Sequence, residues 1–145
     1  MRILGIDWGT KKIGIAIANS ISKNITPIGV FSNNKNIFYK IKQIVLNYNV
    51  KKIIIGKPVF TKTYEESPIF YQIQDFAQNL QGFLMENYIS IEIDYIEEEY
   101  TTFLANNLIK YSTFKNKKNK VKKKLKNNID SLSAVWILKS YISIY

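Results

Sequence analysis

The chain has 145 residues and a formal net charge of +10, and it contains neither cysteine nor histidine. The lack of both excludes a Ser-His-Asp triad, a Cys-His pair, Cys/His zinc sites and a disulfide-stapled secreted scaffold. The length suits one domain, and no apolar segment approaches the roughly 18 residues of a transmembrane helix, so we expect a cytoplasmic protein with no membrane partner.

The first twenty residues predict a β-hairpin with an acid at its turn. One apolar run ends at Asp7, the turn residues Gly9 and Thr10 follow, and a second apolar run containing Gly14 spans residues 13–18. Apolar runs separated by a glycine-containing turn are typical of paired strands. A carboxylate at the end of a buried strand needs a cation or a role at a phosphate. The alternative is that Asp7 only caps the turn by accepting bonds from nearby amides.

A third strand and a first helix are expected next. Residues 26–32 predict the strand, and Asn34 or Asn36 is expected to cap the helix. The apolar positions of this helix recur at helical spacing; they are Ile37, Ile41, Ile44, Val45 and Tyr48.

A buried strand and a second helix follow. Residues 52–56 are almost continuously apolar, which is the pattern of a strand buried on both faces, and the strand is expected to stop at Gly56-Lys57-Pro58. Residues 59–67 predict a polar loop, after which Ser67 would cap the helix and Pro68 would lie in its first turn. The apolar positions of the helix are Ile69, Ile73, Phe76, Ala77, Leu80 and Leu84.

The last third of the chain brings two further acids. Residues 90–96 predict a strand that runs into three glutamates, of which Glu98 is the middle one, and Thr101 is expected to cap a helix over residues 102–110. A final helix is expected over residues 128–141, with Asp130 on its apolar stripe. Both acids have a structural alternative near a helix N-terminus, where the helix dipole favours negative charge.

Positive charge is concentrated in a predicted loop between these elements. Eight lysines lie between residues 115 and 126 with no acid among them, so that the rest of the chain carries only about +2. Such a run suits a nucleic-acid backbone, and the alternative is a solvated loop. The lysines expected to bind nucleic acid are Lys11, Lys12, Lys117, Lys118, Lys120, Lys122, Lys123 and Lys124.

The order of these elements predicts an α/β fold. An antiparallel meander of three strands would be joined to two parallel strands through helical crossovers, which gives a five-stranded mixed sheet with helices on both faces. Asp7, Glu98 and Asp130 would then meet at one edge of the sheet.

These residues resemble the YqgF/RuvX family of ribonuclease H-like nucleases over essentially the whole chain. The resemblance rests on residues 5–16, residues 54–58, Glu98 with Thr101, Thr102 and Ala105, and Asp130 with Ala134 and residues 137–141. It implies a single ribonuclease H-like nuclease domain over residues 1–145.

The resemblance also implies an active site. Asp7, Glu98 and Asp130 would hold Mg²⁺ or Mn²⁺ for phosphodiester hydrolysis, and carboxylates without histidine are a suitable donor set for such ions. Two ions could activate water and stabilise the leaving oxygen without an imidazole base. Gly9, Thr10, Gly14, Gly56 and Thr101 would support the site.

The favoured function is therefore a metal-dependent nuclease that matures the 5′ end of 16S rRNA, as a monomer or a homodimer. The alternatives are a Holliday-junction-type DNA resolvase and a non-catalytic nucleic-acid-binding factor in ribosome assembly or transcription. Two departures from the family pattern bear on substrate affinity. Glu99 stands where the family usually has an arginine, and the loop after Pro58 lacks the usual asparagine and glycine-rich sequence.

Overall fold

The fold consists of five strands and three helices in the part of the chain that the structure describes. This computed structural model describes residues 1–59, 68–99 and 119–144, with the backbone alone for residues 98, 99 and 119–131. The elements are β1 (Arg2–Asp7), β2 (Lys12–Asn19), β3 (Ile25–Ser32), α1 (Ile37–Asn47), β4 (Val50–Val59), α2 (Phe70–Glu86), β5 (Glu92–Glu99) and α3 (Asn119–Ile144).

The strands form one mixed sheet in the order β3-β2-β1-β4-β5. β2 is antiparallel to both β1 and β3, whereas β4 is parallel to both β1 and β5. The predicted meander joined to parallel strands is thus confirmed. We call the side of the sheet where β1, β4 and β5 end the carboxyl edge; β2 begins there and β3 ends there.

Helices cover both faces of the sheet, as predicted. Leu4, Ile6 and Ile53 face α1 and α2, whereas Ile3 and Ile54 face α3, which is the alternation expected of neighbouring strand residues. The buried residues of α1 are Ile37, Ile41, Ile44 and Val45, and those of α2 are Phe70, Ile73, Phe76, Ala77, Leu80 and Leu84. On α3 they include Ala134, Ile137, Leu138 and Tyr141.

The predicted ends of α1 are partly wrong. Asn36 occupies the N-cap position, but its side chain makes no capping bond; instead the Asn36 backbone N–H donates to Asn34 Oδ1 at 2.9 Å. Tyr48 was expected in the core, yet it is the C-cap residue and 39% exposed. The apolar stripe of α1 therefore ends at Val45.

Strand β4 does not stop at Gly56-Lys57-Pro58, and β5 does not stop at Ile96. Lys57, Pro58 and Val59 continue the parallel pairing with Glu97, Glu98 and Glu99. A proline is tolerated because the pairing of β4 with β1 ends at Ile55, so that at Pro58 the strand has a neighbour on one side only, as on an edge strand. The extension carries both strands beyond β1 at the carboxyl edge.

Helix α2 begins later than expected. Its first residue is Phe70 and its N-cap is Ile69, whose side chain cannot cap, so Pro68 lies in a turn ahead of the helix. Phe70 is buried although the sequence pattern did not include it in the core. Ser67 and the predicted polar loop, apart from Val59, lie outside the described residues.

Helix α3 begins earlier than expected, at Asn119 rather than residue 128. Lysine is a good helix former, and part of the predicted lysine loop is helical. Asp130 is consequently well inside α3, and its interpretation as an early helix residue is wrong because the dipole effect is confined to the first turn. Among the helices of the described segments, none combines the length and hydropathy needed to cross a membrane.

Candidate active site

Asp7 is the last residue of β1 and lies at the carboxyl edge. Ile3 and Gly5 of the same strand face α3, so Asp7, two residues further on, is on that face. It is partly buried and pairs with Gly14 of β2, which is itself buried. The structure thus places Asp7 at the end of a strand, as the sequence predicted, and on the face of the sheet that α3 covers.

The turn after Asp7 is held in a tight conformation. A Cβ added at Gly9 would lie 2.6 Å from the Lys12 carbonyl oxygen, a distance that no side chain tolerates. Asn33 closes the turn from the end of β3: its Nδ2 donates to the Gly9 carbonyl at 2.8 Å, and its backbone N–H donates to the Lys11 carbonyl at 2.8 Å. Thr10 and the two lysines that follow it are left exposed.

Asn33 is a residue that the sequence analysis missed. It follows β3 directly, in a run of asparagines typical of turns, but only its neighbours Asn34 and Asn36 were considered, as helix caps. Its partners, Gly9 and Lys11, are more than twenty residues away. Sequence spacing gives no sign of such a contact.

Trp8 anchors the same turn on the opposite face of the sheet. Its ring packs against the core under α1 and α2, with its centroid 6.3 Å from that of Phe76. Among the described residues, the buried indole Nε1 has no hydrogen-bond partner. Asp7 and Trp8 thus point to opposite faces, so that packing of Trp8 helps to fix the direction of Asp7.

Two glycines let α3 lie directly on the sheet. A Cβ added at Gly5 would lie 2.5 Å from Leu138 Cγ and 3.0 Å from the Ala134 carbonyl oxygen, and one at Gly56 would lie 2.6 Å from Ile137 Cδ1. Gly56 thus admits the helix to this face of the sheet. Any side chain at these positions would displace α3.

Helix α3 runs antiparallel to the parallel strands. As β4 advances from Lys52 to Gly56, the contacts on α3 move back from Tyr141 to Ile137. The helix reaches Ala134 at the level of Gly5. Its earlier residues therefore lie towards the carboxyl edge.

This direction brings the backbone of Asp130 towards Asp7. From Ala134 back to Asp130 the helix advances by about 6 Å, and from Gly5 to Asp7 the strand advances by about 7 Å. Both steps lead to the carboxyl edge on the α3 face. The Asp130 side chain lies outside the described part of the structure.

Glu98 also lies at the carboxyl edge, on the face of the sheet that α3 covers. Its Cα pairs with Pro58, and it is two residues beyond Ile96, which packs against α3. The Glu98 side chain, like that of Asp130, lies outside the described part of the structure. No three side chains suited to a metal ion form a cluster among those described, a set that contains Asp7 but neither Glu98 nor Asp130.

Acids of β5 are paired with lysines of β4. Lys52 Nζ lies 3.7 Å from both Glu92 Oε2 and Asp94 Oδ2, and Lys57 Nζ lies 3.8 Å from Glu97 Oε1. The pKa of Lys52 is raised, chiefly by its hydrogen bond to the side chain of a tyrosine of α3 and then by the neighbouring charges, against the opposing effect of burial. These lysines offset part of the negative charge of β5.

Lys57 also contacts an aromatic ring, since its Nζ lies 4.6 Å from the ring centroid of Phe70 at the start of α2. Phe70 in turn packs edge-on against Tyr95, and burial raises the pKa of the Tyr95 hydroxyl. The sequence analysis treated Lys57 only as part of a strand end. Here it links β4, β5 and α2.

The remaining predicted residues are only partly described. Lys11 and Lys12 are exposed beside Asp7 at the turn. Four of the predicted lysines lie on the first turns of α3 with backbone alone described; they are Lys120, Lys122, Lys123 and Lys124. Lys117, Lys118, Thr101 and the helix predicted over residues 102–110 lie outside the described residues, so they stay predictions.

Comparisons with known proteins connect the whole chain to nucleases. The family model described as "RuvX: Holliday junction resolvase" matches residues 1–144. A protein of Sulfurihydrogenibium sp. (strain YO3AOP1) named "Putative pre-16S rRNA nuclease" is 36% identical over 141 residues, covering 97% of this chain and 89% of that protein. A protein of the same name from Malacoplasma penetrans (strain HF-2) is 36% identical over 143 residues, covering 98% and 94%.

A solved structure shares the fold. The crystal structure of fowlpox virus resolvase with its substrate Holliday junction DNA matches with a TM-score of 0.55 and 18% sequence identity, covering 99% of this chain and 97% of that one. The predicted ribonuclease H-like fold, a five-stranded mixed sheet with helices on both faces, is confirmed.

Proposed function

Because the chain belongs to the RuvX family of Holliday junction resolvases, we propose that it is a metal-dependent nuclease that matures the 5′ end of 16S rRNA. Membership of a nuclease family makes it a hydrolase of phosphodiester bonds whose partner is nucleic acid. A precursor rRNA is the favoured substrate because two relatives that match nearly the whole chain are named "Putative pre-16S rRNA nuclease". The family description supports a four-way DNA junction as the second candidate substrate.

The arrangement of α3 on the sheet supports this proposal most directly. Asp7 lies at the end of β1, and α3 runs back across the sheet so that Asp130 follows Ala134 towards the same edge. Glu98 lies near the end of β5 with the strand parity of Ile96, a residue of the α3 face. These backbone positions support a site made of three acids that are far apart in sequence.

The donor set suits a divalent metal. The chain offers only oxygen and amine groups because it has no cysteine or histidine, and carboxylate oxygens are the preferred ligands of Mg²⁺ and Mn²⁺. We infer that Asp7, Glu98 and Asp130 hold the metal. A bound divalent ion supplies Lewis-acid stabilisation of the phosphate and activation of water, which needs no imidazole base.

The other residues of the edge orient the substrate. Asn33 and Gly9 fix the turn, so the exposed Lys11 and Lys12 are held next to Asp7. Their charges would bind phosphates and offset repulsion between the substrate and the acids. Glu99, in place of the usual arginine, would reduce that attraction from the β5 side.

The test is cleavage of a precursor 16S rRNA 5′ leader and of a four-way DNA junction, each with Mg²⁺, Mn²⁺ or EDTA. Asp7→Asn keeps the shape of the side chain and removes its charge. Glu92→Gln is the matched control, because Glu92 is an exposed acid at the opposite edge of the same sheet. We expect cleavage to fall by about two orders of magnitude or more in Asp7→Asn and to persist in Glu92→Gln.

The outcomes separate the candidate functions. Metal-dependent cleavage of the RNA alone supports the rRNA nuclease, and cleavage of the junction alone supports a resolvase. Tight binding without cleavage of either substrate, in every metal tested, would overturn the enzyme proposal in favour of a binding factor. Equal loss in Asp7→Asn and Glu92→Gln would overturn the assignment of the site.

A further inference from the structure

Some of the described lysines are paired with carboxylates and others are not, and the unpaired ones include four near the carboxyl edge. Lys52 and Lys57 have carboxylates within 4.0 Å, as described above. No described carboxylate lies that close to four other lysines, all of them exposed; they are Lys11, Lys12, Lys35 and Lys40. Their charges are not neutralised within the described part of the molecule.

These four lysines, which we call the α1 lysine patch, lie together at the carboxyl edge. Lys12 pairs with Ser32 at the end of β3, and the Asn33 N–H donates to the Lys11 carbonyl. Lys35 follows Asn33 by two residues in the connection to α1. The fold thus joins two segments that are about twenty residues apart in sequence.

Lys40 is held over the same region by an aromatic contact. It lies near the start of α1, where its backbone N–H donates to the Asn36 carbonyl at 3.1 Å. Its Nζ is 5.2 Å from the ring centroid of Phe31 in β3. The ammonium group is therefore kept near the end of β3 while the side chain remains exposed.

The opposite side of the sheet carries the opposite charge. β5 contributes Glu92, Asp94 and Glu97 among its described side chains, and Lys52 and Lys57 already pair with them. At the carboxyl edge, the described lysines that have no carboxylate within 4.0 Å lie on the β2, β3 and α1 side of Asp7. A polyanion reaching Asp7 would be attracted to that side and not to β5.

We propose that the α1 lysine patch binds the sugar–phosphate backbone of the substrate on one side of the cleaved bond, with Lys35 and Lys40 as additional contacts. This inference rests on the proposed function. β1 and β3 are two strand spacings apart, or about 10 Å. Because Lys40 lies over Phe31 on the α1 face of the sheet and Asp7 lies on the α3 face, this distance is a minimum. At about 3.4 Å of axial rise per nucleotide on one strand, the patch contacts phosphates about three nucleotides or more from the bond at Asp7. Such contacts position the substrate and do not read its sequence.

The experiment measures binding of the precursor RNA and of the four-way junction in EDTA, at 50 to 200 mM salt. The test protein is the double variant Lys35→Ala with Lys40→Ala. The control, Lys23→Ala with Lys51→Ala, removes the same charge from two exposed lysines away from the carboxyl edge, one in the β2–β3 turn and one at the start of β4. All four positions are exposed, and thermal unfolding checks that each variant is folded.

We expect the slope of log affinity against log salt to fall by about two for the test protein on duplex, because each phosphate contact contributes about 0.9. The slope of the control should stay within about half a unit of the wild type. An unchanged slope for the test protein, or an equal fall in the control, would overturn the inference.

A second measurement locates the contact. Uncharged methylphosphonate linkages, placed two to four nucleotides from the cleaved bond on either side, should weaken binding by the wild type on one side only. The same linkages should cost the Lys35, Lys40 double variant little further affinity. Equal sensitivity of the two proteins would overturn the inference even if cleavage is normal. Lysine-dependent binding without cleavage in Mg²⁺ would support the patch and overturn the nuclease.

Discussion

Gly5→Ala tests how closely α3 lies on the sheet. The added methyl carbon would lie 2.5 Å from Leu138 Cγ and 2.9 Å from its Cδ1, whereas unstrained carbon atoms approach to about 3.5–4.0 Å. Leu138 could turn away, but the methyl would also lie 3.0 Å from the Ala134 carbonyl oxygen, which is part of the helix backbone. Either Leu138 or α3 itself must move by about 1 Å.

The magnitude follows from two opposing effects. Overpacking of a well-packed core costs about 1–3 kcal/mol, and replacing a glycine gains about 0.4–1 kcal/mol by restricting the unfolded chain. We expect a net loss of about 1–2 kcal/mol in the free energy of unfolding. Because α3 carries Asp130, a 1 Å displacement should also lower nuclease activity by up to about 100-fold.

Urea unfolding and cleavage assays of Gly5→Ala and Gly82→Ala form the measurement. Nothing lies within 4 Å of a Cβ added at Gly82, which is inside α2, so this control should gain about 0.5–1 kcal/mol from helix propensity. In a double-mutant cycle, Leu138→Ala alone should cost about 2–5 kcal/mol. Combined with Gly5→Ala it should cost clearly less than the sum of the two.

The reasoning would be refuted by a Gly5→Ala protein as stable as Gly82→Ala. Strict additivity of the Gly5 and Leu138 substitutions would also refute it, because the two side chains would then not be in contact. If Gly5→Ala were destabilised but fully active, the position of α3 would matter for stability and not for activity. That outcome would argue against Asp130 as a ligand.

Three further predictions concern the turn, the pH dependence and the metal. Asn33→Ala removes the 2.8 Å bond that closes the turn and should cost about 1 kcal/mol while lowering kcat more than substrate affinity; unchanged kcat contradicts it. Urea unfolding should show stability falling as pH rises above about 10. The pKa of Lys52 is raised by its hydrogen bond to Tyr141, and the pKa of the partly buried Tyr95 is raised by burial, so the folded chain keeps protons that the unfolded chain releases. A flat profile between pH 8 and 11 would count against this. Mg²⁺ at about 100 times its Kd should add about 2.7 kcal/mol to the wild type and much less to Asp7→Asn, and equal gains in calorimetry would contradict the ligand assignment.

Local pattern was enough to predict the sheet and the placement of Asp7. The apolar runs of β1 and β2 and the glycine-containing turn between them are signals confined to a few neighbouring residues, and the stripe of α1 follows helical spacing. The predicted end of β4 was wrong because a proline normally breaks a strand. Pro58 is tolerated only because β4 has no neighbouring strand on one side at this point, and that is a property of the whole sheet.

The supporting residues of the site were harder to predict for the same reason. Asn33 and Lys40 act through partners in other elements, Gly9 and Phe31, which no short sequence window contains. The start of α3 was misplaced because a run of lysines and asparagines lacks the apolar stripe by which helices are recognised. Asp130, by contrast, was identified because the stripe begins there.

The position of α3 has a consequence for biosynthesis. α3 is the last element along the chain, yet it covers Ile3 of β1 and Ala16 of β2, near the beginning. While the chain is being made, α1 and α2 can cover one face of the growing sheet, but the other face stays exposed to water until α3 leaves the ribosome. This interval is when aggregation or chaperone binding is expected. The core between α3 and the sheet is completed at the moment when Asp130 reaches the sheet edge, so a chain truncated before α3 would lack both.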